Sequence, residues 1–396
     1  MRICLVSTTY RPRTGGMETH VTNLAEQLAG LGHQVTVLTN RDHHSQPPTA
    51  TEHGVDVIRA SALLNAFTEH GVPWEEAMFG LLSDVAPLLA DRPFDVVHTH
   101  TQASLLLACL SGLAARSRSL VASFHETRPE TEPCGAERSR FIAHACQPDL
   151  VLAGSRRFAD QALSFGYPEG RIRTVLMGTP ATPVPEPRRR AGARTELEQR
   201  SGVPADGTLV VCVSRYTPRK AQHRLLDALP HLAGAGAGLV RVLLIGSRNG
   251  SDPGCLDLLQ QRAAEAGDAV TMLHDCPDPL RDLAFRAGDI LTQPSTHEGL
   301  GLAVVEGMHH GLPVVATDTH GLREVVTEQT GILTDTADPG TYAAALARLA
   351  ADPHLRARLG QNGQRRAAEH FGIHRCAQHT LDVYREAISL RTAGAS

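Results

Sequence analysis

Along this chain short apolar runs alternate with longer stretches in which apolar positions recur every three or four residues. In the first half the runs are Ile3–Ser7, Val35–Leu38, Val55–Ile58, Phe94–His98, Leu120–Phe124 and Leu150–Ala153. In the second half they are Leu209–Val213, Val242–Ile245, Val270–Leu273, Ile290–Leu291, Val314–Ala316 and Ile332–Leu333. Short runs without a polar face read as strands buried on both sides, as in parallel sheets. Between them the spacing predicts helices. One starts near Met17, with Val21, Leu24, Ala25 and Leu28 on one stripe and Gly30 closing it. Others cover Ala103–Ala115, the Leu225, Leu226 and Leu229 region, Cys255–Ala266, Asp278–Arg286, Tyr342–Ala351, Leu355–His370 and Arg375–Ser389. Such alternation predicts an α/β fold of doubly wound parallel sheets. Only Leu63–Val85 breaks the rhythm; it holds Trp74 after Pro73 and reads as a loop with a helix.

The stretch Thr179–Pro187 is too rich in proline for a helix or a central strand, and it reads as a linker. Arg188-Arg189-Arg190 follows as a solvated helix start. At 396 residues the chain exceeds one ordinary core. The expected organisation is a Rossmann-like domain over 1–178, a linker and helix start over 179–207, and a second Rossmann-like domain over 208–372. A C-terminal helix over 373–396 packs back on the first domain.

The stretch richest in chemistry is Ser295–Gly311. It follows the run Asp289–Thr292, with Pro294, Ser295 and Thr296 as turn and cap residues. Gly299 and Gly301 let the backbone approach a ligand, and Leu302, Val304 and Val305 begin a helix. A strand, a glycine turn and a helix start together leave free N–H groups and a positive dipole end for a phosphate. Glu298 and Glu306 bracket the turn; at a helical rise they would lie roughly 12 Å apart, about the length of a sugar diphosphate. The plainer reading is a capped helix with two surface glutamates. Gly15-Gly16 follows the first strand, where open α/β sheets bind ligands, but lacks the G-x-G-x-x-G spacing of a dinucleotide fold, which argues against a dehydrogenase. His125 follows the strand Leu120–Phe124 and precedes the acidic residues Glu126, Glu130 and Glu132. Arg215 and Lys220 follow Leu209–Val213, placed to neutralise a leaving diphosphate.

Composition narrows the partners. The net charge is −4 and the pI about 6.6, which favours neither nucleic acid nor an anionic membrane surface. No apolar run is long enough to span a membrane. The chain enters a strand at once, with no signal-peptide pattern, and its eight cysteines show no paired or zinc spacing. The expectation is free thiols in a cytoplasmic protein. The twenty-one histidines are scattered and read mostly as surface or loop residues. No Asp-x-Asp triplet is present, so the expectation is no metal and no other cofactor.

On Gly15-Gly16, His125, Arg215 with Lys220, and Glu298 through Glu306, the sequence resembles the family 4 retaining glycosyltransferases over nearly its whole length. The last stretch matches that family's signature of two glutamates with seven residues between. The resemblance implies the GT-B fold, two Rossmann-like doubly wound domains facing across a cleft, with acceptor bound by the first and donor by the second. It implies that Glu298 holds the hydroxyls of the donor sugar and Glu306 the ribose. Backbone N–H groups of Gly299, Leu300, Gly301, Leu302 and Ala303 would hold sugar and phosphate oxygens. Arg215 and Lys220 would stabilise the leaving diphosphate, Gly16 beside Gly15 would admit the phosphate, and His125 would contact the sugar. Retention is attributed in the family to front-face attack, with the leaving phosphate taking the acceptor proton. Two positions depart from the family: Ala221 stands where glycine usually follows the lysine, and His297 precedes the glutamate. The loop that reads the base is expected near His274-Asp275-Cys276.

A UDP-sugar is the expected donor on family frequency, UDP-GlcNAc or UDP-glucose, and a small soluble molecule the acceptor. The acidic residues Glu126, Glu130 and Glu132 would suit an aminated acceptor, and an aminocyclitol such as 2-deoxystreptamine, from antibiotic biosynthesis, is one candidate. The alternatives are transfer from GDP-mannose or a UDP-sugar to inositol, lipid or glycan, a UDP-GlcNAc 2-epimerase, and a non-catalytic nucleotide-sugar sensor.

Overall fold

A computed structural model describes residues 1–42, 45–60, 83, 85, 92–125, 135–181, 187–335 and 338–394. They form two compact units, Met1–Gly178 with Ile373–Ser396, and Thr179–Gly372. In the first unit the order is β1 (Arg2–Val6), α1 (Gly16–Gly30), β2 (Gln34–Asn40), β3 (Thr49–Glu52), β4 (Val55–Ala60), β5 (Val96–Thr99), α2 (Gln102–Leu110), α3 (Leu113–Arg116), β6 (Leu120–Ala122), α4 (Gly135–Ala145), β7 (Leu150–Ala153), α5 (Arg156–Phe165) and β8 (Ile172–Thr174). The second unit runs α6 (Pro187–Ser201), β9 (Thr208–Val213), α7 (Gln222–Leu232), β10 (Val240–Gly246), α8 (Pro253–Ala266), β11 (Val270–His274), α9 (Asp278–Ala287), β12 (Ile290–Gln293), α10 (Leu302–His309), β13 (Val314–Thr317), α11 (His320–Val325), β14 (Gly331–Thr334), α12 (Pro339–Ala351) and α13 (Pro353–His370). The chain then returns to the first unit as α14 (Ile373–Gly394).

The first sheet has eight strands in the order β3-β4-β2-β1-β5-β6-β7-β8, parallel except for the β3–β4 hairpin. The second has six, β11-β10-β9-β12-β13-β14, all parallel. In both, strand order reverses beside the first strand of the unit, between β1 and β5 and between β9 and β12. That reversal splits the flanking loops apart at the carboxyl ends and makes the crevice where open α/β sheets take ligands.

Alternation along the strands explains the layers. In β1, Ile3 and Leu5 join one core with Val21, Leu24, Ala25 and Leu28 of α1. Cys4 and Val6 join the other with Leu105 and Leu107 of α2. The α14 residues Cys376, Ala377, Leu381 and Tyr384 complete the first core, so this helix is part of the unit's interior. In the second unit Val210 and Cys212 pack with Leu225 of α7 and Leu346 of α12. Each such side chain contributes about 1.5–3 kcal/mol of burial.

Several expectations need correction. The helix expected over Ala103–Ala115 is two, because the chain turns at Ser111 and Gly112, the latter at φ +71°. The helix start expected at the arginine run is present. Pro187–Ser201 is a helix of the second unit, anchored by buried Arg194, whose guanidinium donates to the carbonyls of Ala287 and Gly207 and pairs with Asp289. Arg190 of the arginine run also reaches Asp289, at 3.7 Å, so that run is not wholly solvated. Strand β3 went unforeseen because it is polar; His53-Gly54, both at positive φ, close it onto β4 as a two-residue hairpin turn. Trp74 lies outside the described residues, as do Glu126, Glu130 and Glu132. No described helix is long and apolar enough to cross a membrane.

Candidate active site

In the second unit the loops after β9 and β12 meet at the strand-order reversal. After β9 the chain makes a tight turn, Pro218–Lys220. After β12 it runs Pro294–Gly301 into α10. The two loops are tied by their backbones: Thr296 N donates to Arg219 O at 2.9 Å, and Arg219 Nη1 donates to His297 O at 2.7 Å. This frame aims Lys220 Nζ at Glu298 Oε1, 2.6 Å away. Gln293 Nε2 donates to the same oxygen at 3.2 Å, and Arg219 Nη1 lies 3.5 Å from Oε2.

The Glu298 side chain is buried, and burial alone would push its carboxyl up. Lys220 and Arg219 more than offset that and hold it below the ordinary glutamate range. Burial lowers Lys220 in turn, and its pair with Glu298 opposes the loss. The result is an ionised buried pair. Ser295 also hydrogen-bonds the carboxylate, and a carboxylate's two oxygens have about four lone-pair sites in all, which leaves room to accept from a hydroxyl.

Glu298 itself precedes the helix, so the helical rise assumed between Glu298 and Glu306 holds only from Leu302 onward. Gly301 is the N-cap, at φ +97°, and offers no capping side chain. A Cβ there would lie 2.8 Å from Leu322 Cδ2, which compounds the backbone demand for glycine. Ser295 and Thr296 do not cap this helix as expected. Ser295 Oγ accepts from Gln293 Nε2 at 2.6 Å, and Thr296 Oγ1 donates to Arg219 O. The first-turn N–H groups of Leu302 and Ala303 have no intrahelical acceptor, as at any helix start. Glu306 sits on α10, half-buried, its carboxyl pushed up by burial against the opposing pull of Arg281.

In the first unit Gly15 and Gly16 follow β1 and open α1, again with no side-chain cap. A Cβ on Gly15 would fall 2.3 Å from Glu18 Oε2, whereas one on Gly16 would meet nothing within 4 Å. Glu18 is held by Thr9, whose Oγ1 donates to Oε1 at 2.8 Å. His125, beyond the end of β6, belongs to a group of imidazoles with His20 of α1, His98 of β5 and His100. The ring of His125 stacks on His100 at 5.5 Å between centroids and lies 5.2 Å from His20; His98 and His100 are 4.2 Å apart. His100 Nδ1 and His125 Nε2 are 3.2 Å apart.

His98 is buried between Tyr384 Oη, 2.7 Å from Nδ1, and Ser123 Oγ, 2.9 Å from Nε2. Ser123 spends its proton on Leu152 O, so His98 Nε2–H donates to it and Tyr384 donates to Nδ1. Burial lowers all four histidines, His20 to about 4 and His98 to about 3, and His100 and His125 well below the usual value. At neutral pH the cluster is uncharged.

Residues 14–182 match the family model described as Glycosyltransferase Family 4, and residues 193–366 match that of Glycosyl transferases group 1. A D-inositol 3-phosphate glycosyltransferase of Xylanimonas cellulosilytica is 31% identical, over 96% of this chain and 93% of its own. The chain belongs to glycosyltransferase family 4. A second relative of this glycosyltransferase, the D-inositol 3-phosphate glycosyltransferase of Kineococcus radiotolerans, is 32% identical over 96% of the chain and 92% of its own. Among solved structures, sucrose-phosphate synthase from Thermosynechococcus elongatus superposes with a TM-score of 0.79 at 22% identity, over 98% of this chain and 100% of that one. HepE of Anabaena in complex with UDP-glucose gives 0.79 at 21%, over 98% and 100%. The fold is therefore the retaining GT-B one, with two parallel-sheet α/β domains.

Of the residues singled out in this family 4 glycosyltransferase, the structure joins Lys220 to Glu298 and places Gly299, Leu300, Gly301, Leu302 and Ala303 between that pair and Glu306. Arg215 reaches the loop after β10, its Nη1 lying 3.2 Å from where a Gly250 Cβ would be, and its charge also acts on Lys220. The cation that sequence reasoning missed is Arg219; Pro218-Arg219-Lys220 as a basic turn was the available signal. Gln293 was also missed, with no signal beyond its place at a strand end.

Asp275, at φ +52°, accepts from Ser247 Oγ and Arg248 N, so the turn expected to read the base is braced by the loop after β10. Ala221, fully buried at φ +50°, occupies a left-handed position, which accounts for the usual glycine there. Reading the histidines as mostly surface residues was wrong for His20, His98 and His100, all buried. His98-Thr-His100 at the end of β5 was the missed pattern. The seven described cysteines are free thiols.

Proposed function

We propose that this glycosyltransferase moves a hexose or N-acetylhexosamine, with retention, from a UDP-sugar to a hydroxyl of a small cyclitol acceptor. UDP-GlcNAc or UDP-glucose is the donor, and an aminocyclitol such as 2-deoxystreptamine the acceptor. The observation that carries the donor reading is the Lys220–Glu298 pair beside an uncapped helix start at a strand-order reversal. A diphosphate needs cations and amides; a sugar needs a carboxylate acceptor; both lie within one loop pair. HepE, of the same fold, is known with UDP-glucose bound, which supports a UDP-sugar.

Lys220, with Arg219 and Arg215, takes up charge as the sugar–phosphate bond breaks. Glu298 accepts from the sugar hydroxyls, and Glu306 from the ribose. The N–H groups from Gly299 to Ala303 take phosphate and sugar oxygens. Gly15 and Gly16 open α1, and an added Cβ on Gly16 would meet nothing within 4 Å among the described residues beyond its own turn of chain. His125, uncharged, contacts the sugar near the reacting carbon. The acceptor proton passes to the leaving phosphate, so the reaction needs no metal and no cofactor.

The relatives' names support a cyclitol ring as acceptor. They also favour a second reading, a phosphorylated inositol. Glu126, Glu130 and Glu132 favour an amine over a phosphate, because clustered carboxylates repel a phosphomonoester. The test is a matrix of UDP-GlcNAc, UDP-glucose and GDP-mannose against 2-deoxystreptamine, myo-inositol and inositol 3-phosphate, followed by product mass and anomeric configuration. Transfer from a UDP-sugar to the aminocyclitol is expected. Preference for either inositol ends the aminocyclitol reading. An epimer formed from donor alone would identify an isomerase, and UDP binding without turnover a sensor.

A further inference from the structure

Three of the four clustered imidazoles offer more than a sugar contact. Each of His20, His100 and His125 presents a ring nitrogen, and the three nitrogens lie within 4.8 Å of one another. His100 Nδ1 and His125 Nε2 are already 3.2 Å apart. Two nitrogens bound to one zinc-class ion at 2.0–2.1 Å in a tetrahedron are separated by about 3.3 Å. The pair therefore stands close to a coordination edge, and only His20 has to draw in by roughly 1–1.5 Å, within the reach of a ring rotation. His20 Nδ1 is buried with no hydrogen-bond partner among the described residues. A buried polar nitrogen left so costs free energy that a ligand would recover.

We propose that His20, His100 and His125 form a site for a divalent first-row ion of the zinc class, with water in the fourth position. Three imidazoles and an open position suit zinc, cobalt or nickel and exclude magnesium and calcium, which take oxygen ligands. No electron or group transfer is involved: three lone pairs are donated, the 3.2 Å contact between His100 and His125 is given up, and the ring that donated its proton there carries it on its other nitrogen instead. Where the reading of His125 as a sugar contact holds, an ion here inhibits transfer. The binding itself does not rest on that reading.

The test uses full-length, untagged protein freed of metal with a chelator and titrated with Co²⁺. One equivalent is expected to give the visible d–d bands of a four-coordinate ion, and Zn²⁺ to bleach them. His20→Gln and His100→Gln should each weaken binding by more than the roughly 10–100-fold that loss of an outer-shell partner costs. His231→Gln, at an exposed position of the second unit, should bind as the parent does. Absence of the bands, or bands that persist in both cluster variants, overturns the proposal. Should those variants fail to fold, X-ray absorption of the zinc-loaded parent decides. Three imidazole nitrogens at about 2.0–2.1 Å are expected, and fewer than three refutes the site.

Discussion

The two units place polar residues at the same point of the same kind of sheet and treat charge in opposite ways. In the first, beside β1 and β5, burial strips four imidazoles of their protons. In the second, beside β9 and β12, burial acts on Lys220 and Glu298 as well, yet both stay ionised because each has the other at 2.6 Å. The difference lies in the partner. Imidazole can shed its charge near neutrality, whereas a lysine facing a glutamate keeps it. One rim is thus neutral and the other charged, the contrast that the proposed acceptor and donor roles would use.

Acid should break this comparison most forcefully. The four histidines have folded pKa values below their unfolded value of about 6.5, so the unfolded state binds more protons below that pH. Their stabilisation is complete above about pH 6.5 and drains as pH falls towards about 4 for His20 and about 3 for His98. At pH 5 the loss is of order 2 kcal/mol for each buried imidazole. Glu298 is also depressed, so its contribution drains only below the ordinary glutamate range of about 4.3. Calorimetry from pH 7 to 5 with EDTA present should show the transition of the first unit falling further than that of the second, which has its own buried histidines, His309 and His310, the latter lowered to about 4. Equal movement of both would refute the contrast.

Removing the charge of the second rim comes next. Lys220→Ala should lower kcat by about 10²–10³-fold, the scale of losing a donor to a developing anion, with product release as the readout. A drop under tenfold would take Lys220 out of the chemistry. Smaller still is Tyr384→Phe, which leaves His98 Nδ1 buried without its donor and should cost about 1–3 kcal/mol in urea unfolding. The variant should also fray α14 first in hydrogen exchange. Least of all, Ala221→Gly relieves a left-handed residue by about 1 kcal/mol and gives up a buried methyl worth about 0.8 kcal/mol. The net change should stay within about 1 kcal/mol, and a loss beyond that would mean the position is not strained.

The sequence was most legible where one physical signal governs. Buried parallel strands such as Ile3–Ser7 and Leu209–Val213 need unbroken apolar runs, and nothing else explains such runs. Lys220, Glu298 and Gly301 were readable because a strand, a turn and a helix start are local features. The contact of Arg219 with Glu298 was not readable, since it depends on which face of a three-residue turn meets a loop about eighty positions later. The imidazole cluster was equally hidden. His20, the pair His98 and His100, and His125 come from three separate parts of the chain, and only the strand order β1-β5-β6 makes them neighbours. The start of helix Pro187–Ser201 was legible at the arginine run, but its anchoring was not, since Arg194 is satisfied by carbonyls that no local pattern announces.

The closing helix, whose Leu381 and Tyr384 lie inside the first core, has a consequence for biosynthesis. A ribosome releases the first unit's earliest strands long before the segment that completes their packing. The later-encoded unit has all its residues by Gly372 and can finish first. The nascent amino-terminal half must wait with an apolar groove unfilled, so shortening the chain by its last two dozen residues should injure the half that was made earliest.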